Sequence, residues 1–241
     1  MIFYYWYYYL LGIILLPGVI FSIYAQTKVS TSFNRYKDKT SVRDIPAHKL
    51  ARHILDSAGL SNINITKCRG SLTDHYNPKT KTVSLSEDVH DSSSVAALGV
   101  MAHELGHVMQ DKDNYGLFRL RSILVPFINI GSFLMWPLVV LGLIFEFAST
   151  TSIGQVCIII AIAIFSLSTL FSLITVPLEK DASKRAQKLL YDTGILNEEE
   201  SENVKEVLSA AALTYVAALI TSILSLVRFI LYILLITKND R

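Results

Sequence analysis

The stretch Val95-Ala96-Ala97-Leu98-Gly99-Val100-Met101-Ala102-His103-Glu104-Leu105-Gly106-His107 decides how this chain is read. The apolar run before His103 is only eight residues long, far short of the roughly 20 that a bilayer-spanning helix needs. Asp111, Lys112 and Asp113 follow at once. The pattern predicts a buried helix from about Ser93 to Gln110, capped by Asp91 or a following serine. On such a helix residues four apart share a face, so His103 and His107 reach one metal ion. Zn²⁺ accepts neutral imidazole nitrogens at about 2.0–2.1 Å. Glu104 lies roughly 100° further round the axis. It reaches the ion's open position without occupying it, the place of a general base acting on water. A merely structural pair of histidines is the weaker reading, because two buried imidazoles beside a carboxylate are costly without a metal or shared protons.

The composition sets this helix in a membrane protein. Of 241 residues, 51% are hydrophobic and 17% charged, where a soluble domain carries about a quarter charged. Residues 1–27 hold no charge, Glu146 is the one charge between Arg121 and Glu179, and Arg228 the one between Glu206 and Lys238. Such stretches exclude a disordered chain, a secreted disulfide scaffold and an ordinary soluble domain. Four membrane segments are predicted, at about 2–25, 122–145, 153–176 and 208–237. Pro126 and Pro137 are tolerable in the second, and Ser/Thr at 149–152 turn it into the third. No basic residue precedes the first apolar run, so a retained anchor is favoured over a signal peptide, with Tyr4, Tyr5, Trp6, Tyr7, Tyr8 and Tyr9 as an aromatic belt. Cys68 and Cys157 are too unlike in setting for a disulfide and have no zinc spacing. A net charge of +2 gives no reason to expect nucleic acid as a partner.

Orientation follows from basic residues. Lys28, Arg35, Lys37, Lys39, Arg43, Lys112, Arg119 and Arg121 place 26–121 in the cytoplasm, and the hairpin returns 178–206 to the same side. The expected divisions are a membrane anchor at 1–27, a catalytic domain at 28–121 and a transmembrane hairpin at 122–177. A cytoplasmic helical segment at 178–207 and a last helix with its tail at 208–241 complete them. A fourth span puts the C-terminus outside, against which Lys238 and Arg241 argue. Arg228 is read as snorkelling from a long or tilted helix in preference to a functional charge.

Within 28–121, Pro46 opens a helix to about Ser57 that Gly59 stops. Ile63 and Ile65 mark a short strand, 76–80 a turn, and Thr82–Ser86 a second strand with Val83 and Leu85 on one face. That second strand is read either as an edge for an extended peptide or, preferably, as an internally paired hairpin strand. His75 and Tyr76 are candidates to assist an oxyanion, with a plain turn role preferred. A third metal ligand has two candidates. Asp113 follows His107 by six residues, but Gln110 stands where such motifs need a glycine to turn the chain back. Glu179, just beyond the third membrane segment on a helix predicted over 178–191, is favoured.

The runs Gly70–Ser86, Ser94–Val100, His103–His107, Glu179–Ala186 and Ala211–Ala217 resemble, in order, the blocks of the YugP-like bacterial membrane zinc metallopeptidases. More distantly the chain is similar to the HtpX and CAAX-prenyl-protease clan of gluzincins. The resemblance implies a mainly α membrane protein: four transmembrane helices plus a small α+β cytoplasmic zincin-like domain carrying the HExxH helix. It implies one Zn²⁺ on His103, His107 and Glu179, with Glu104 as base, in a multi-pass protein of the bacterial inner membrane. The wider clan has an Asp four residues after the liganding Glu; here that position is Ser183, with Asp181 two residues on and off the Glu179 face of the helix. Both are candidates to hold a ligand from behind.

The expected function is a zinc metalloendopeptidase hydrolysing peptides or unfolded membrane-proximal segments, with membrane-protein quality control as a role and lipid as its surroundings. The competing reading is an inactive membrane scaffold with a structural zinc site. The intact Glu104 and the shortage of a fourth protein ligand speak against it.

Overall fold

The structure is a computed structural model that describes residues 11–147 and 151–239. The predicted aromatic belt at Tyr4–Tyr9, part of the 149–152 turn and the tail residue Arg241 lie outside the described residues. The elements, in order, are α1 (Leu16–Tyr36), α2 (Ala47–Ser57), β1 (Asn64–Cys68), β2 (His75–Asn77), β3 (Thr82–Ser86), α3 (Glu87–His90), α4 (Val95–Lys112), α5 (Gly116–Phe147), α6 (Thr151–Asp192) and α7 (Glu198–Asn239). Among the described residues, four helices are long and apolar enough to cross a membrane. The chain divides into two compact units.

One unit holds the residues up to Tyr24, Leu120–Val176 and those from Tyr215 on. Its outward faces are apolar, with Phe133 and Trp136 largely exposed, as expected where lipid is the solvent. Small residues set its helix contacts: a Cβ on Gly131 would meet Ile164, and one on Gly142 would meet Ile158 and Cys157. The Thr169 and Ser172 hydroxyls donate to carbonyls four residues back, which satisfies polar groups that lipid cannot.

The second unit holds Ala25–Arg119 and Pro177–Thr214. Its centre is α4, buried nearly all round, as a helix apolar on every face must be. Ser94 caps it, its hydroxyl accepting from Ala97 N–H at 3.2 Å. Leu50, Leu55, Val83, Leu85, Leu98, Met101, Leu105, Leu190 and Val207 form one core drawn from α2, β3, α4, α6 and α7. Helix α2 runs as read, with Gly59 at φ +71 in the left-handed conformation that suits a residue without a Cβ.

The sheet bears out one reading and corrects another. Its order is β1-β3-β2, with β1 parallel and β2 antiparallel to β3. Thr82–Ser86 is therefore the central strand and no edge, in line with the hairpin reading. Residues 75–77, expected at a turn, form the edge strand β2, and the turn shifts to 78–81. The helices also run longer than the apolar windows. The predicted helix 178–191 is the end of α6, which passes through Pro177. A loss of hydrophobicity marks where lipid ends but does not break a helix.

Candidate metal centre

Two helices of the second unit bring the site together. On α4, His103 and His107 stand one turn apart, their rings edge to face with centroids 4.9 Å apart. On α6, Glu179 is 1% exposed. Its Oε2 lies 3.0 Å from His103 Nε2 and 3.4 Å from His107 Nε2. One ligand atom from each of the three lies within 4.8 Å of the others. Glu104 is buried beside them and contributes to the field at His107. Burial opposes a charge on His107, but the hydrogen bond and charge of Glu179, with Glu104 behind them, outweigh it and raise its pKa.

These residues fit a metal ion by the chemistry of their donors. Both imidazoles address one carboxylate oxygen. With no metal, each would have to hold a proton towards the same oxygen, placing two cationic rings in contact. One divalent cation serves all three groups. Two ligands at about 2.0–2.1 Å from a tetrahedral zinc stand roughly 3.3 Å apart, close to the observed 3.0 and 3.4 Å.

Close approach of α4 and α6 depends on Gly106. A Cβ there would lie 2.4 Å from the carbonyl oxygen of Ala182. The two imidazole rings are held from behind. Ser183 Oγ is 3.3 Å from His103 Nδ1. His107 Nδ1 is 2.9 Å from Gln110 Oε1, and Gln110 Nε2 donates to Leu178 O and to Asp181 Oδ2, both at 2.9 Å. Arg185 donates to Asp181 and to Asp113. Asp113 is thus half-exposed on Arg185 and stands outside the His103–His107–Glu179 group. Asp181, off the Glu179 face of its helix, reaches the site through Gln110.

His75 and Tyr76 do not join this group. His75 is exposed, with Nδ1 2.9 Å from Thr73 O. The Tyr76 hydroxyl donates to Asp111 at 2.7 Å. Burial and then that carboxylate raise the phenol's pKa well above its ordinary value. The Tyr76 ring stacks on Phe118, which lies 6.0 Å from the His107 ring and walls the site.

Sequence reasoning missed Gln110, Gly106 and Phe118. Gln110 was legible in part: a polar side chain three residues after His107 shares its face of a buried helix. A second cluster, His48, His90 and Asp91, was not singled out. Its rings stack face to face at 4.4 Å, so their in-plane lone pairs run parallel, and Lys67 already pairs with Asp91 at 2.9 Å.

Over residues 11–234 the chain matches the protein family described as "Putative neutral zinc metallopeptidase". It is 38% identical over 213 residues to "Putative membrane protease YugP" of Bacillus subtilis (strain 168), spanning 88% of this chain and 92% of that protein. No solved structure matches.

Proposed function

Because this chain belongs to the neutral zinc metallopeptidase family, we propose that it is a membrane-bound endopeptidase whose His103, His107 and Glu179 hold one zinc ion. The observation that carries this reading is the convergence of two histidines and a buried glutamate, 72 residues apart at the nearest, on one point beside Glu104. When bound, the ion supplies Lewis-acid polarisation of the scissile carbonyl and acidifies water. Glu104 accepts a proton from that water and returns it to the nitrogen of the departing amine. Ser183 and Gln110 orient the two imidazoles. Phe118 and Tyr76 form an apolar wall beside His107.

Substrate lies extended along β2, the edge strand next to α4, and backbone pairing there favours unfolded chains over particular side chains. The basic residues of 28–121 favour the cytoplasmic side for this unit, and the likeness to a Bacillus subtilis membrane protease favours a bacterial inner membrane. Peptides and unfolded membrane-proximal segments are then its substrates, consistent with quality control. An inactive scaffold is less well supported. Structural zinc is normally closed by four protein ligands, and among the described residues three converge here. The test is Glu104→Gln in the purified protein. It retains one zinc per chain while peptide cleavage falls about 10²–10⁴-fold. Cleavage at the native rate removes Glu104 from the chemistry.

A further inference from the structure

The two halves of the metal centre come from opposite ends of a long apolar insertion, and one side chain ties them together. Gln110 is completely buried. Its amide nitrogen faces Leu178 O and Asp181 Oδ2, from residues on either side of Glu179. A carbonyl and a carboxylate only accept, so the NH₂ group must point at them. Its Oε1 then faces His107 Nδ1 at 2.9 Å. An amide oxygen also only accepts, so Nδ1 carries a hydrogen, and Nε2, on the Glu179 side, is left as the nitrogen that would bind a metal. Asp181 is in turn held by Arg185 Nε at 2.7 Å, and Arg185 also grips Asp113. The direction of every hydrogen bond from Asp113 to His107 is thereby set.

We propose that Gln110 is the positioning residue of this site: it accepts the Nδ1–H of His107 and clamps the Leu178–Asp181 turn, so that His107 and Glu179 are presented to the metal together. This rests on the peptidase reading above and adds a device to it. A carboxylate commonly backs a liganding histidine. Here a neutral amide stands behind His107 and a neutral hydroxyl behind His103. Glu179 is then the one anion among the three ligands. Asp181 acts one bond further away, as the acceptor that decides which way the amide faces.

The test compares the full-length native protein with Gln110→Leu, Gln110→Glu and the double variant Gln110→Glu/Asp181→Asn. Two readouts are used: the zinc dissociation constant, from chelator competition, and the solvent-exchange rate of the His107 Nδ1–H, by ¹⁵N NMR of the metal-free protein. Gln110→Leu keeps the bulk but accepts nothing. Its zinc affinity falls about 10–100-fold, and the Nδ1–H, left without an acceptor, exchanges faster than in the native protein. Gln110→Glu turns a carboxylate against Asp181 and Leu178 O and falls at least as far. The double variant restores a donor opposite the carboxylate, since the amide introduced at position 181 supplies one, and recovers to within about threefold of native. A Gln110→Leu protein that keeps native zinc affinity and native Nδ1–H exchange overturns the proposal. So does a double variant that folds, by its melting curve, yet shows no recovery, for a filler role needs no donor pattern. A native protein that binds no zinc overturns the peptidase reading instead. The Nδ1–H exchange comparison in the metal-free protein then decides the role of Gln110 by itself.

Discussion

Gly106→Ala is the substitution that tests the assembly most directly. The added Cβ would sit 2.4 Å from Ala182 O, 3.1 Å from its carbonyl carbon and 3.2 Å from its Cα. An ordinary carbon–oxygen contact is about 3.3–3.6 Å, so the two must part by about 1 Å. Both partners are helical backbone, with no rotamer to give way. The displaced segment of α6 carries Glu179 three residues before Ala182 and Ser183 just after it. Overpacking of this kind costs about 1–3 kcal/mol, partly offset by the ~1 kcal/mol that alanine gains over glycine in a helix. Net stability therefore changes modestly. The site suffers more, because functional geometry tolerates about 0.5 Å and a 1 Å misplacement costs roughly 10²-fold in rate. Gly99→Ala, on the same helix, is the control: its Cβ meets a Val204 methyl at 3.3 Å, which a side chain can relieve. The assays are thermal melting, zinc titration of the metal-free protein and cleavage of an unfolded peptide. A Gly106→Ala protein that binds zinc and cleaves as well as Gly99→Ala refutes the argument that this contact sets the Glu179 position.

Glu179→Ala loses bound zinc on metal analysis, whereas Asp113→Ala, which removes only a partner of Arg185, retains it; the reverse result makes Asp113 the third ligand. Asp91 offers a pH test away from the site: the hydrogen bond from Lys67, then that from His90, lowers its pKa from 3.8 to about 2. The folded value is below the unfolded one, so this contribution is present above about pH 4 and lost as pH falls towards 2. Lys67→Ala should flatten that part of the native stability profile in denaturant titrations at a series of pH values. An acid limb as steep as native would show that the pair contributes nothing.

Local signals carried much of the fold. Ser94 sits where a cap was expected, Gly59 where a stop was expected, and Val83 and Leu85 on the buried face of their strand. The neighbour relations of the strands were less legible. His75–Asn77 is three residues long and gains its strand character from pairing with β3, a partner no local pattern names. The length of α6 was misjudged because hydropathy reports solvent and not backbone hydrogen bonding.

At the site, the four-residue spacing of His103 and His107 was decided by the sequence alone, since helical periodicity places them on one face whatever surrounds them. So was the membrane character, because long uncharged stretches have no other favourable solvent. Glu179 could be named from its position, but its contact with both imidazoles is a fact of packing across 72 residues of sequence from His107. Only the tertiary structure showed that Gly106 admits the second helix, that Ser183 backs His103, and that Gln110 holds His107. The reason is physical. A helix period is written in neighbouring residues, whereas a hydrogen bond between helices depends on how closely their backbones approach, and that is settled by the whole core at once.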